Sequence, residues 1–349
     1  MENSRESYDS NDLFKPKIAV CGVGGGGSNT VNRLSGMGIK GVTLIAVNTD
    51  AKHLNGLNND IKKMLIGGPL TKGLGAGGFP AVGKKAADYS RSDIAAALAG
   101  YNLVFVCAGM GGGTGTGAAP VVANVAKENG AIVISIVTFP FALEKVRLNV
   151  AKEGVEDLRK NSDTLIVIDN QKLVQLYKNL PLDSAFNIAD EVASKAVRGI
   201  SETITQPSML NLDFADVKNV MNSGGLAFIS IGEGNGNNRI EDAVSQIQKN
   251  KLLDVDFEGA KSALVHVTCG RSFTLGELNE ISKRLTDSVA KDANVVIGAR
   301  NDDSFGERIE VIAIFTGVKS PEIFGRDAAG QQRGSSGHAS GGIDIPDLF

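Results

Sequence analysis

The chain has 349 residues, 42% hydrophobic and 21% charged, with a formal net charge of −3. It is long enough for two domains, ordinary in composition for a soluble globular protein, and too nearly neutral to favour nucleic acid or an anionic membrane surface. It holds no apolar run of about 18 residues to insert in a membrane, no signal peptide opens it, and its three cysteines, without a C-x-x-C pair, read as small core residues in a reducing cytoplasm.

Residues 1–15 are polar and read as a disordered arm. From Lys17 onward, apolar runs at 17–21, 42–47, 103–107, 131–137 and 164–168 alternate with helical patterns. That alternation predicts a parallel sheet with helices on both faces, its ligand beyond the C-terminal strand ends. The first run leads into Gly22-Val23-Gly24-Gly25-Gly26-Gly27-Ser28-Asn29, with a helix expected from Thr30. Gly22, Gly24 and Gly27 satisfy G-x-G-x-x-G, a weak dinucleotide signal on its own, and the acidic residue that should follow about 20 positions on comes late, at Asp50. The run at 103–107 leads into Gly109-Met110-Gly111-Gly112-Gly113-Thr114-Gly115-Thr116-Gly117, with a helix expected over 118–127 and Pro120 near its first turn. Such a turn aims several backbone N–H groups at one point at the positive end of a helix, and Thr114 and Thr116 add hydroxyls; phosphate suits that best. Neither loop carries the Gly-Lys-Ser/Thr of a P-loop. Two of them fit a nucleoside di- or triphosphate held mainly by backbone amides.

Residues 183–205 predict one long helix with a broad apolar stripe through Ala189, Val192, Ala193, Ala196, Val197, Ile200 and Ile204, ended by Gln206-Pro207. Phe186 and Asp190 share a face at its start. A ring that stacks on a purine and a carboxylate that accepts N–H donors would read guanine; a core Phe beside an exposed Asp is the other reading. After Gly224-Gly225 strands are expected at 226–231, 263–268, 294–297 and 308–315, with helices near 239–252 and 275–289, a second α/β unit. Residues 319–342 read as a flexible linker. The apolar tip Ile343–Phe349 reads as a short linear motif or as a chance sticky end.

These runs resemble the FtsZ family, the prokaryotic relatives of tubulin, over about residues 15–320. Gly111–Gly117 matches the signature G-G-G-T-G-[ST]-G, and Asn211-Leu212-Asp213-Phe214-Ala215-Asp216 resembles N-x-D-x-A-D. Val47–Asp50, Thr71–Gly77 and Asn294–Gly298 match further, and Phe139–Glu144 leans toward the second of two archaeal groups. The resemblance implies a parallel Rossmann-like GTP-binding domain over 16–182, a central helix over 183–205, and a C-terminal α/β domain over 206–318 with a catalytic loop at its start. It implies GTP or GDP with Mg²⁺ held mainly through the phosphates. Gly25, Gly26, Gly27, Ser28, Asn29, Asn48, Ala76, Gly77, Gly78, Gly112, Gly113, Thr114, Gly115 and Thr116 then surround the nucleotide. Arg147 offers a charged fork, Glu144 a ribose or organising contact, and Asn29 and Asn170 base or ribose contacts. Phe186 and Asp190 take the base, and Asn211, Asp213 and Asp216 are the catalytic set. Two departures stand out: Ser28 replaces a common glycine, and many relatives have one more residue between Glu144 and Arg147.

Nothing near the glycine loops is an evident base for activating water. Asp213 and Asp216 follow the far end of a helix that spans roughly 27 Å from Phe186 to Ile204; if Phe186 touches the base, they cannot serve their own nucleotide but can serve that of a neighbour stacked head to tail. That contact is heterologous and builds a filament unless it closes into a ring. The resemblance implies the same: an assembly-activated GTPase scaffolding a cytoplasmic, mid-cell division ring. It adds a membrane-tethering adaptor bound through Ile343–Phe349, with no nucleic acid and no direct membrane insertion. Two competitors remain open on the sequence. A nicotinamide-dependent oxidoreductase leaves the second glycine loop and Asp213/Asp216 unexplained. A filament protein that binds GTP without hydrolysing it, or that serves cell shape, sits badly with an intact carboxylate pair.

Overall fold

The computed structural model describes residues 16–176, 181–205, 210, 213–222, 225–249, 259–287, 289–290 and 292–318. The expected N-terminal arm, linker and terminal motif lie outside these residues, as does Asn211. The first half of the chain runs β1 (Ile18–Val23), α1 (Gly24–Gly36), β2 (Val42–Asn48), α2 (Ala51–Asn55), β3 (Lys62–Leu65), α3 (Gly68–Thr71), α4 (Pro80–Tyr89) and α5 (Arg91–Ala97). It continues with β4 (Leu103–Gly109), α6 (Thr114–Glu128), β5 (Ile132–Phe139), α7 (Lys145–Asn161), β6 (Thr164–Asp169) and α8 (Asn170–Leu176). The second half holds α9 (Leu182–Thr205), α10 (Phe214–Asn222), β7 (Gly225–Asn235), α11 (Arg239–Lys249), β8 (Ser262–Cys269), α12 (Leu275–Thr286), β9 (Asn294–Asn301) and β10 (Arg308–Thr316).

Among the described residues the strands form one ten-stranded sheet in the order β3-β2-β1-β4-β5-β6-β7-β10-β8-β9. The first six strands are parallel, and β10 runs antiparallel to both β7 and β8. β1 is buried along its whole length and β4 and β5 almost so, which is why they read as continuous apolar runs. The two halves join where Thr164, Leu165 and Ile166 of β6 pair with Gly225, Leu226 and Ala227 of β7. One sheet face is covered by α1, α9 and α10, the other by α4 to α7, α11 and α12.

α9 has 24 residues and spans both halves. Its expected apolar stripe packs on the sheet, with Ala189, Ala193, Ala196, Val197 and Ile200 buried. Its other side reaches the second half through ion pairs: Lys195 to Glu233 at 2.7 Å, Arg198 to Glu310 at 3.4 Å and Glu202 to Arg300 at 3.1 Å. The three cysteines are buried and free, and burial pushes the Cys21 thiol up to about 12.

The main departures from expectation are helix starts. α1 begins at Gly24 instead of Thr30, and α6 at Thr114 instead of Ala118. Pro120 therefore lies inside α6, away from its first turn, and leaves the Thr116 carbonyl without a helical donor. Glycine disfavours helix, but close packing here overrides propensity. Gly24 has φ +71° and lies against the backbone of Gly115, where a Cβ would sit 2.6 Å from the Gly115 nitrogen. The short edge strand β3, carrying Lys62 and Lys63, had no sequence signal of its own, as befits a charged edge.

Candidate functional site

β1 and β4 are neighbours, so α1 and α6 start side by side at the C-terminal ends of their strands. Between them opens a cleft of about 610 Å³. Gly25, Gly26 and Asn29 line it from α1, and Gly109–Met110 and Gly112–Gly115 from the second loop and α6. Asn48, Asp50 and His53 come from the end of β2 and from α2, Gly75 and Gly78 from the loop before α4, and Thr138, Pro140, Glu144 and Arg147 from the β5–α7 connection. Asn170 and, from α9, Ala189 and Asp190 close the far side. Among the described residues Arg147 is the lone cation of this lining, so an anion here meets mainly helix starts and backbone amides.

The cleft thus gathers Gly25, Gly26, Asn29, Asn48, Gly78, Gly112, Gly113, Thr114, Gly115, Glu144, Arg147, Asn170 and Asp190 from the expected set. Gly27, Ser28, Ala76, Gly77 and Thr116 do not line it; several shape it from behind. The Thr116 hydroxyl accepts from the Gly111 N–H at 2.9 Å and so closes the loop, while the Thr114 hydroxyl meets that of Thr49 at 2.7 Å. Ser28 is fully buried. Phe186 lies on α9, but its side chain is outside what is described. Asp50, His53, Gly75, Gly109, Met110, Thr138, Pro140 and Ala189 also line the cleft and were not among the site residues expected from the sequence. Asp50 ends the turn after β2 and caps α2 by accepting from the His53 N–H, which holds both beside the cleft.

Gly27 explains the first glycine run better than a dinucleotide does. A Cβ there would lie 2.1 Å from the Cys107 carbonyl oxygen of β4, so only glycine lets α1 sit this close to the sheet. Gly27→Ala must push α1 outward and is expected to cost about 3 kcal/mol. Thermal unfolding measures this as a drop of several degrees, and nucleotide binding is expected to fall with it; an unshifted melting temperature would refute the packing account.

Asp190 is the titratable group most displaced in the cleft. Burial pushes its carboxyl up from the ordinary 3.8 to about 6, while the Arg33 charge and the Thr30 hydroxyl, 3.4 Å away, oppose the rise. Glu144 and Arg147 pair at 2.5 Å, with Glu144 also accepting from the Phe141 N–H, so the shorter spacing still brings both side chains to the cleft.

Asp213 and Asp216 are elsewhere. They cap α10 reciprocally: Asp213 accepts from the Asp216 N–H at 2.7 Å and Asp216 from the Asp213 N–H at 3.2 Å. The carbonyl of Met221, near the end of α10, accepts from Thr164 at the start of β6, whereas Asn170, just past the end of β6, lines the cleft. Neither Asp213 nor Asp216 is among the residues that line the cleft.

A parallel sheet whose adjacent strands feed two amide-rich helix starts, without a P-loop lysine, defines a nucleotide-binding protein of the tubulin-like GTPase class. Residues 17–178 match the Tubulin/FtsZ family GTPase domain, and residues 225–319 the FtsZ family C-terminal domain. The chain is 50% identical over 323 residues to cell division protein FtsZ 2 of Methanocaldococcus jannaschii, covering 92% of this chain and 85% of that one. It is 46% identical over 318 residues to cell division protein FtsZ 2 of Haloferax volcanii, covering 91% and 79%. Among solved structures, an empty FtsZ dimer from M. jannaschii superposes with a TM-score of 0.84 at 45% identity, covering 88% of this chain and 90% of that one. CetZ2 from H. volcanii, at 21% identity and a TM-score of 0.74, shares the fold. The chain belongs to the FtsZ family and is of the archaeal type.

Proposed function

We propose that the cleft holds GTP, that hydrolysis is completed by the Asp213/Asp216 carboxylates of the next subunit, and that the resulting head-to-tail filaments scaffold a mid-cell division ring. The observation that carries this is the separation of the two halves of the site. The carboxylates lining the cleft are already engaged or lie away from the phosphates. Asp50 caps α2, Glu144 is paired with Arg147, and Asp190 lies at the α9 end. From Asp190 to Thr205 the helix rises about 22 Å at about 1.5 Å per residue, and Asp213 lies beyond it. A neighbour stacked along α9 brings one subunit's carboxylates over the next subunit's phosphates.

The surface around the cleft suits such a neighbour. Leu74 and Phe79 flank its Gly75–Gly78 wall, Leu143 and Val146 flank Glu144 and Arg147, and all four are 67–87% exposed. Large apolar side chains gathered at one rim mark an interaction surface. The glycine loops supply donors to the phosphates, and Phe186 with Asp190 reads the guanine. Mg²⁺ fits this donor set only as a companion of the triphosphate. No group of three metal-binding side chains occurs among the described residues, and Asp50, which gives one carboxylate oxygen to the α2 cap, can offer the other beside phosphate oxygens and water. Bound there, the ion offsets phosphate charge.

The test is sedimentation with GTP, GDP or ATP, with phosphate release followed in the same tube. Filaments and phosphate are expected with GTP alone; phosphate release in proportion to protein, at concentrations too low for any oligomer, would refute the shared site. No helix among the described residues is long and apolar enough to cross a membrane, and we assign membrane attachment to an adaptor that takes Ile343–Phe349. Deleting residues 343–349 is expected to leave GTP hydrolysis and assembly in solution unchanged and to abolish recruitment to vesicles carrying the adaptor. A large loss of hydrolysis in that truncation would mean that the segment packs on the folded body.

A further inference from the structure

His53 carries the only imidazole among the described residues lining the cleft. Its ring lies between two amides: Nδ1 is 3.2 Å from Asn48 Nδ2, and Nε2 is 3.1 Å from Asn29 Oδ1. The direction of both bonds is set by what Asn48 does next. The backbone N–H of Thr49 donates to Asn48 Oδ1 at 2.8 Å, and that of Asp50 approaches the same oxygen at 3.4 Å. A backbone N–H only donates, so the atom it meets is the amide oxygen, and the other branch is the NH₂ group. That NH₂ donates to His53 Nδ1, which is therefore the unprotonated nitrogen. The ring is the Nε2–H tautomer, Nε2–H donates to Asn29 Oδ1, and Asn29 keeps its own NH₂ group for something else. Asn48 is buried at the end of β2, and the His53 N–H is held by Asp50 at 3.0 Å, so the anchor of this chain of bonds is fixed.

We propose that His53 is a positioning residue: it locks the Asn29 amide with its NH₂ turned into the cleft, as a donor to an acceptor atom of the bound guanine nucleotide. The inference rests on the GTP site proposed above. Both ring nitrogens are engaged, so the imidazole is not the base that activates water, although it is the side chain in the cleft whose chemistry most invites that role.

The full chain tests this through GTP and GDP dissociation constants for the wild type, His53→Leu, His53→Gln, Asn29→Ala and the double variant His53→Leu/Asn29→Ala. His53→Leu is expected to weaken both nucleotides about three- to tenfold, raising KM while leaving kcat unchanged. The double variant is expected to bind no more weakly than Asn29→Ala alone. His53→Gln, whose amide can accept from Asn48 and donate to Asn29, is expected to recover most of the affinity. A His53→Leu loss that persists undiminished in the Asn29→Ala background, or a fall in kcat at constant KM, overturns the proposal. A wild type that binds GTP while Asn29→Ala is unaffected overturns it too and leaves the GTP site standing; a wild type that does not bind GTP overturns the site itself. The tautomer needs no variant: ¹⁵N shifts of the His53 ring are expected to report Nε2–H, and an Nδ1–H ring refutes the assignment.

Discussion

Asp213→Asn is expected to lower GTP turnover about 100- to 1000-fold while GTP affinity stays unchanged. Asparagine is the informative substitution because Asp213 also caps α10. An amide still accepts from the Asp216 N–H, whereas alanine removes the cap and costs about 1 kcal/mol of stability, mixing a folding effect with a chemical one. With the cap kept, what is lost on the shared-site proposal is the charge that orients and polarises the neighbour's water. Filaments should still form, and persist longer, because the γ-phosphate stays in the contact. The decisive measurement mixes two inactive chains. One is Asp213→Asn with an intact cleft. The other is Thr114→Arg, which puts a bulky side chain where the Thr114 and Thr49 hydroxyls now meet, with Asp213 intact. A shared site predicts that the mixture regains activity neither chain has alone. A mixture as inactive as its parts, although both chains enter the same filaments, would place the chemistry within one subunit.

The second large effect concerns which base is accepted. Asp190→Asn is expected to weaken GTP about ten- to a hundredfold, the worth of a hydrogen bond to a charged group, and to narrow the preference for GTP over ATP. Competition among GTP, ITP and ATP measures both, and unchanged ratios would remove Asp190 from the base pocket. Its pH dependence gives an independent check. The folded empty protein protonates Asp190 at about 6, well above the ordinary 3.8, so burial of this charge lowers stability as pH rises between those values. Guanine N–H donors need the ionised carboxylate. GTP affinity is therefore expected to be flat above about pH 6 and to fall about tenfold per pH unit below it. That slope should be absent in Asp190→Asn, which separates it from titration of the nucleotide.

Where the sequence was legible, it was so for physical reasons. β1, β2, β4, β5 and β6 are buried strands, and burial writes long apolar runs. α9 must face the sheet along its length, and Ala189 to Ile200 show the stripe. The interval between β2 and β4 was illegible for the opposite reason. β3 is a four-residue edge strand bearing two lysines, and α2 and α3 are a single turn or little more. The starts of α1 and α6 were misplaced because contacts distant in sequence, such as Gly27 against Cys107, decide them. Asp50 and His53 were missed because a lone Asp and a lone His have no pattern; only the fold brings them beside Asn29 and Asn48. The separation of Asp213 from the cleft was readable because helix rise is a fixed length.

That separation has a consequence for the ends of a polymer. If the site is shared as proposed, then in a row of n subunits the cleft of one terminal molecule would face solvent, as would the carboxylate pair of the other, so the row would contain n − 1 complete centres. The two tips are chemically unlike. One offers an open nucleotide that can be exchanged in place. The other carries a nucleotide already enclosed, which can leave only with its subunit. On that proposal renewal of the bound guanosine phosphate is expected to be directional, and a short oligomer to be a disproportionately poor catalyst, with a dimer holding one centre for two chains.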